Sequence, residues 1–151
     1  MEGLRGYYYV RVNLDEETLP FPAETFSLVS MLMVLEHVFD VFHAVEEANR
    51  VLRPGGHLIV AVPNISYMRI TIPLLFGRFP VTSTKDTWDE LAWDGYHLHN
   101  FTRERLEWLV ESFGRLRTVM CKGSGRLWRI RSLLPSLLSG DLILLAQKPQ
   151  D

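Results

Sequence analysis

The chain has 151 residues, 47% of them hydrophobic and 23% charged, with a formal net charge of −2. That length and balance support one domain around one sizeable core and exclude disordered and collagen-like classes. Near-neutrality gives no global case for nucleic acid or an anionic membrane as partner. The balance does conceal an acidic head, with nine acids and three bases in residues 1–50, and a basic tail, with five acids and nine bases in residues 101–151.

In chain order, Tyr7–Leu14 (YYYVRVNL) is aromatic and β-branched and predicts a strand. An acidic, proline-broken loop follows. Phe26–His37 (FSLVSMLMVLEH) opens as a continuous apolar run, as expected of a strand buried on both faces. Val41, Ala44, Val45, Ala48 and Val51 recur at helical spacing and predict a helix over Val41–Leu52. Arg53-Pro54-Gly55-Gly56 stops that helix, and His57–Pro63 (HLIVAVP) predicts a second buried strand. Strand, helix, strand implies parallel pairing through a crossover.

Ile65–Phe79 predicts a helix interrupted by Pro73, and Pro80–Asn100 a long polar and aromatic loop. Thr102 is the expected N-cap of a helix that runs to about Phe113 and closes at Gly114. Arg115–Lys122 and Asp141–Pro149 predict two further strands, with a basic and apolar helical stretch broken at Pro135 between them. Together these elements predict a single domain over residues 1–151: a doubly wound α/β fold with a Rossmann-like, open, mostly parallel sheet and an antiparallel edge strand.

Three blocks then carry a family likeness. They are LPFPAETFSLVSMLMVLEHV, EEANRVLRPGGHLIVAVPN and GYHLHNFTRERLEWLVESFG, in that order and at ordinary spacing. Together they resemble class I S-adenosylmethionine-dependent methyltransferases, in particular the type 11 and type 23 methyltransferase domains, from roughly Asn13 to Gly114. The resemblance implies that Phe26–Met33 is the fourth strand of that sheet and that Leu35, Glu36 and His37 line the cofactor's methionine end. It places Asn13 or Asp15 near the adenine amino group, with Leu19 as a further cofactor contact. It sets His97 and His99, in the segment HLHNFT, on the acceptor side.

The chain departs from that pattern twice. Ser27 stands where the family usually has Asp, and the GxGxG-like loop of the first family motif has no counterpart, since Gly3 and Gly6 are the only glycines before residue 50. The expectation is therefore an N-terminally truncated version of the fold whose own binding of S-adenosylmethionine is incomplete. Three organisations fit it: a fragment of a methyltransferase, a natural short interaction or dimerisation module, and an enzyme that binds cofactor in an unusual way or across a dimer. In each, a homodimer or partner chain, or the Tyr7–Leu14 segment, covers the open edge of Phe26–Met33.

Methyl transfer is an in-line displacement at a sulfonium and needs alignment and at most one base. His97 is the candidate base or orienter, against the plainer reading of a histidine bonded within its loop. His99, two residues on, shares its face in an extended segment. No third ligand at metal spacing is visible, so no metal is expected. Tyr96, Trp88 and Trp93 form either an acceptor wall or a loop anchor. Asn64, after the fifth strand of the family order, is a further acceptor-side candidate. A base-methylating (Asp/Asn)-Pro-Pro-Tyr motif would follow the fourth strand, where this chain has Leu35-Glu36-His37, so a small-molecule acceptor is expected rather than nucleic acid. Lys122–Arg131 is either a phosphate-binding patch or the solvated face of a helix. One cysteine, Cys121, excludes a disulfide framework. With no apolar run of about 20 residues and no secretory h-region, the expectation is a cytoplasmic protein without membrane contact.

Overall fold

In the computed structural model, which describes residues 9–82, 97–124 and 134–150, Phe26–Leu32 forms β1 and Leu52–Pro63 forms β2. Between them runs α1, Val41–Val51. Its apolar stripe Val41, Ala44, Val45, Ala48 and Val51 is buried, as the spacing requires. The Asp40 side chain caps its start by accepting from Phe42 N at 3.0 Å and His43 N at 2.9 Å. The helix ends where Pro54 forces the preceding residue toward extended backbone, and Leu52 is already extended.

Then follow α2 (Met68–Leu75, with Pro73 inside it), α3 (Arg103–Ser112), β3 (Arg117–Gly123), a short α4 (Pro135–Leu138) and β4 (Asp141–Gln147). Thr102 caps α3 through its hydroxyl, which accepts from Arg105 N at 3.3 Å. Gly114 closes it, donating to Leu109 O at 3.2 Å.

The sheet order is β1-β2-β4-β3. β1 and β2 are parallel, with Leu28 opposite His57 and Leu32 opposite Ala61. β4 is antiparallel to both β2 and β3, so β1, β2 and β3 all run one way. The antiparallel member stands between two strands rather than at the rim, which suits its fully buried Leu142, Leu144 and Ala146.

Arg53–Gly56 is absorbed into the amino end of β2 as a bulge. Phe26 pairs with Leu52 but Leu28 already pairs with His57. Gly55 takes a φ of 75°, and a Cβ on Gly56 would lie 2.8 Å from the Arg53 carbonyl oxygen. The bulge is fastened to β4's end by Gly55 N donating to Lys148 O and Lys148 N donating to Gly56 O.

α1 and α3 cover one face of the sheet. Val45, Ala48, Leu106 and Val110 meet Leu58, Val60, Leu142 and Leu144 there in one core cluster. The opposite face carries Ile59, Met120, Ile143 and Leu145 around an apolar concavity of about 480 Å³, and no described element covers it. Two expectations are corrected here. Phe26–Leu32 is a strand but is not buried on both faces: Leu28 is 53% and Leu32 58% exposed, because they lie on the face of Ile59 that no described element covers, whereas Met31 on the helix-covered face is buried. Tyr9–Leu14 forms no strand, and Tyr9 is 89% exposed. β propensity is satisfied only by a partner strand, and this segment has none among the described residues. Tyr7 lies outside them, as do Trp88, Trp93, Tyr96 and the basic run beyond Ser124.

No described helix is long and apolar enough to cross a membrane.

Candidate functional site

The carboxyl ends of β1 and β2 lie side by side, and parallel sheets place ligands at such ends. After β1 the backbone turns sharply: Met33 has a φ of 54°, and its N–H donates to Ala61 O at 2.9 Å. Leu35 and Glu36 are then drawn inward, to 0% and 1% exposure, while the His37 side chain stays 44% exposed.

A second segment crosses this turn. Leu98 N donates to the Glu36 carbonyl oxygen at 2.7 Å, and His99 N reaches the same oxygen at 3.4 Å. The His99 ring meets Phe39 O through Nε2 at 3.2 Å. Beyond it, Phe101 bridges to Asn64 at the end of β2. The segment at 97–101 is thereby pinned across the carboxyl ends of both parallel strands. His97 arrives above the turn, with its ring centroid 5.0 Å from that of His37 and Nδ1 2.7 Å from the Thr82 hydroxyl.

The fold therefore gathers Glu36, His37, His97 and His99 from two segments some sixty residues apart. It also gives the Glu36, His37 and His97 side chains one potential ligand atom each, all within 4.8 Å of one another. Sequence reasoning sought a third ligand at regular spacing and missed this set. The only signal was indirect: an acid and a histidine at a strand's carboxyl end, and a histidine-rich segment elsewhere.

Asn64 is placed differently. Its side chain is completely buried and holds main chain: Nδ2 donates to Ser136 O at 2.9 Å and Ser139 O at 2.8 Å, and Oδ1 accepts from Ser66 N at 3.0 Å.

The acidic loop is also committed to main chain. Asn13 Oδ1 accepts from Asp15 N at 3.2 Å. Asp15 Oδ1 accepts from Phe39 N at 2.7 Å and Asp40 N at 3.1 Å, which ties it to the same turn that carries His37. Leu19 lies farther along α1, its N–H donating to Glu47 Oε2 at 2.7 Å and its carbonyl accepting from Arg50. Glu47 is 6% exposed, and the Arg50 guanidinium hydrogen-bonded to it holds its carboxyl below the ordinary range, against the opposing effect of burial. Arg50 also donates to Phe21 O at 2.8 Å, so one ion pair fixes the Leu19–Phe21 loop to the helix.

Residues 4–115 match the family model described as a methyltransferase domain, of type 23. The ubiquinone/menaquinone biosynthesis C-methyltransferase UbiE of Hahella chejuensis is 38% identical over 72 residues, which is 48% of this chain and 27% of that protein. The chain thus spans little more than a quarter of that relative's length. Among solved structures, an S-adenosylmethionine-dependent methyltransferase from Mesorhizobium loti superposes with a TM-score of 0.62 at 17% identity, over 93% of this chain and 68% of the other. One from Methanosarcina mazei gives 0.61 at 19%, over 89% and 64%. At those identities the superpositions speak for the fold alone, and they agree with the mixed sheet described above. The family model covers well over half of the chain, which therefore belongs to the type 23 methyltransferase-domain family of the class I fold, whose cofactor is S-adenosylmethionine.

Proposed function

We propose that this chain forms the carboxyl-end wall of the cofactor and acceptor site of a methyltransferase that acts on a small molecule. S-adenosylmethionine, when bound, supplies a methyl group activated on a sulfonium. The protein's own residues then have to align donor and acceptor and keep water out. The observation that carries this reading is the crossing of segment 97–101 over the turn after β1, held by the Glu36 carbonyl oxygen. It brings His97 to the strand end that the family uses for the cofactor, which supports reading that histidine as an acceptor-side group.

The described residues fit one end of that cofactor. Met33 is 43% exposed beside the open β1 edge, and buried Leu35 fixes the backbone on which His37 stands. Asp15 extends the same wall through its bonds to Phe39 and Asp40. They do not include a glycine-rich cradle: Gly55 and Gly56 are at the other end of β2. In this reading His97 orients the acceptor or takes its proton, Glu36 and His37 shape the pocket floor, His99 positions the loop, and Asn64 serves the site by fastening the end of β2. The open edge of β1 is covered by a further segment of the protein, a second copy or another chain.

Calorimetric titration with S-adenosylmethionine, paired with the size-exclusion mass of the same sample, tests the proposal. Saturable binding, weakened by His37→Gln, is expected. A well-folded chain that binds no cofactor in any assembly state would overturn it.

A further inference from the structure

We infer that Glu36, His37 and His97 form a binding site for one divalent transition-metal ion of the zinc or cobalt type. Three independent features converge on it.

The first is an unexplained buried acceptor. Glu36 is 1% exposed, yet its Oε2 has no hydrogen-bond partner among the described residues. An unsatisfied buried carboxyl oxygen is costly, and a native fold that keeps one usually places a donor or a cation against it. His37 Nε2 is 3.9 Å from Oε1 of the same group, too far for a hydrogen bond and close enough to share a ligand.

The second is geometry. Three atoms no more than 4.8 Å apart have a common centre within about 2.8 Å of each, so contraction by about 0.7 Å reaches ordinary zinc–ligand lengths of about 2.1 Å. That contraction lies within rotamer adjustment for an exposed His37. His97 needs little search, because the Thr82 hydroxyl at 2.7 Å from Nδ1 sets its ring plane. When Nδ1 donates to that hydroxyl, the lone pair resides on Nε2, the arrangement that metal-binding histidines use.

The third is ligand chemistry. Two imidazoles and one carboxylate suit zinc, cobalt or iron and leave further positions open. Magnesium and calcium prefer sets made of oxygen alone. The main-chain bond from Leu98 N to Glu36 O ties the two ligand-bearing segments together before any ion arrives, so the site is held by the fold rather than assembled by the metal.

A histidine bound to a cation cannot also accept a proton. The assignment therefore gives His97 the orienting role and removes it as a general base.

The test uses the full 151-residue chain, stripped with a chelator and titrated with cobalt(II) while the visible d–d absorption is followed, with zinc as competitor. One equivalent of cobalt is expected to bind and zinc to displace it, with magnesium in large excess without effect. His37→Gln and His97→Gln should each weaken binding at least tenfold. His43→Gln, a histidine of α1 whose ring meets Glu17 O, should leave it unchanged. Glu36→Gln should also weaken binding. If that variant fails to fold by circular dichroism, the two histidine variants decide. Absence of saturable uptake, uptake unchanged in both histidine variants, or equal loss in His43→Gln overturns the site. Because only the cation is used, such a failure leaves the methyltransferase reading untouched.

Discussion

Asn64 offers the sharpest separation of scaffold from site, because it ends the strand next to the acceptor side yet spends its side chain on main chain. Asn64→Ala removes two donations, to Ser136 O and Ser139 O, and one acceptance, from Ser66 N. The side chain is 0% exposed, so water does not readily replace those partners. At about 1 kcal/mol net for each bond, and more where a buried carbonyl is left unpaired, the loss is about 2–4 kcal/mol. Domains are stable by about 5–15 kcal/mol in total, so this is a large share. For a chain of this size it corresponds to a fall in Tm of about 4–16 °C. Thermal unfolding followed by far-ultraviolet circular dichroism measures it directly. Asn64→Asp is the informative companion: it keeps the acceptor for Ser66 N but turns two donations into repulsions against carbonyl oxygens, and it should destabilise at least as much as alanine. A Tm within 1 °C of the parent for both variants would refute the fastening role and return Asn64 to the acceptor-side candidates.

Two other outcomes follow from the charge and burial of single groups. Glu47→Gln should cost about 1–2 kcal/mol, because it strips charge from a partly buried pair, with Glu47 buried and Arg50 one-third exposed, that anchors the Leu19–Phe21 loop. The folded carboxyl titrates below its ordinary value, so its stabilisation is full above that ordinary value and is lost as pH falls through the lower, folded one. The stability gap between parent and variant in urea unfolding should therefore be widest near pH 7 and narrow in acid; a gap independent of pH would contradict the assignment. Cys121 is buried in the core, and burial, aided by the nearby Glu107 charge, pushes its thiol up to about 11. Only about one molecule in a thousand is then thiolate at pH 8, so a disulfide reagent should label the folded chain very slowly and the urea-unfolded chain at once. Rapid labelling of the folded protein would show that β3 opens locally.

The elements that sequence reasoning locates well are those specified within a few residues. α1 and α3 carry their own caps, Asp40 and Thr102, and their own buried stripes, so periodicity and capping suffice. Elements whose state depends on a distant partner are less legible. Among the described residues, Tyr9–Leu14 has strand composition and no strand to join, and β1 has the apolar run of a central strand while lying at the rim. The site divides in the same way. Glu36 and His37 are legible as candidates because they follow a strand at the end where such sheets hold ligands. Their meeting with His97 is not, because it depends on one backbone bond, Leu98 N to Glu36 O, across a separation no local pattern encodes.

The double glycine shows why a motif has to be read together with its end of the sheet. Gly55 and Gly56 look like the material of a cofactor loop, but they occupy the amino end of β2. There, the missing side chain at Gly56 lets the backbone pass within contact of Arg53 O and Phe26 O. Their neighbours are the tail residues Lys148 and Gln150, and their hydrogen bonds close the β2–β4 ladder. At the opposite end, Asn64 closes β2 against the segment before β4. With β2 fastened at both ends, its neighbour β1 leads into the turn Met33–His37, which segment 97–101 crosses. That is where the buried Glu36 carboxyl, with one oxygen lacking a hydrogen-bond partner among the described residues, meets His37 and His97.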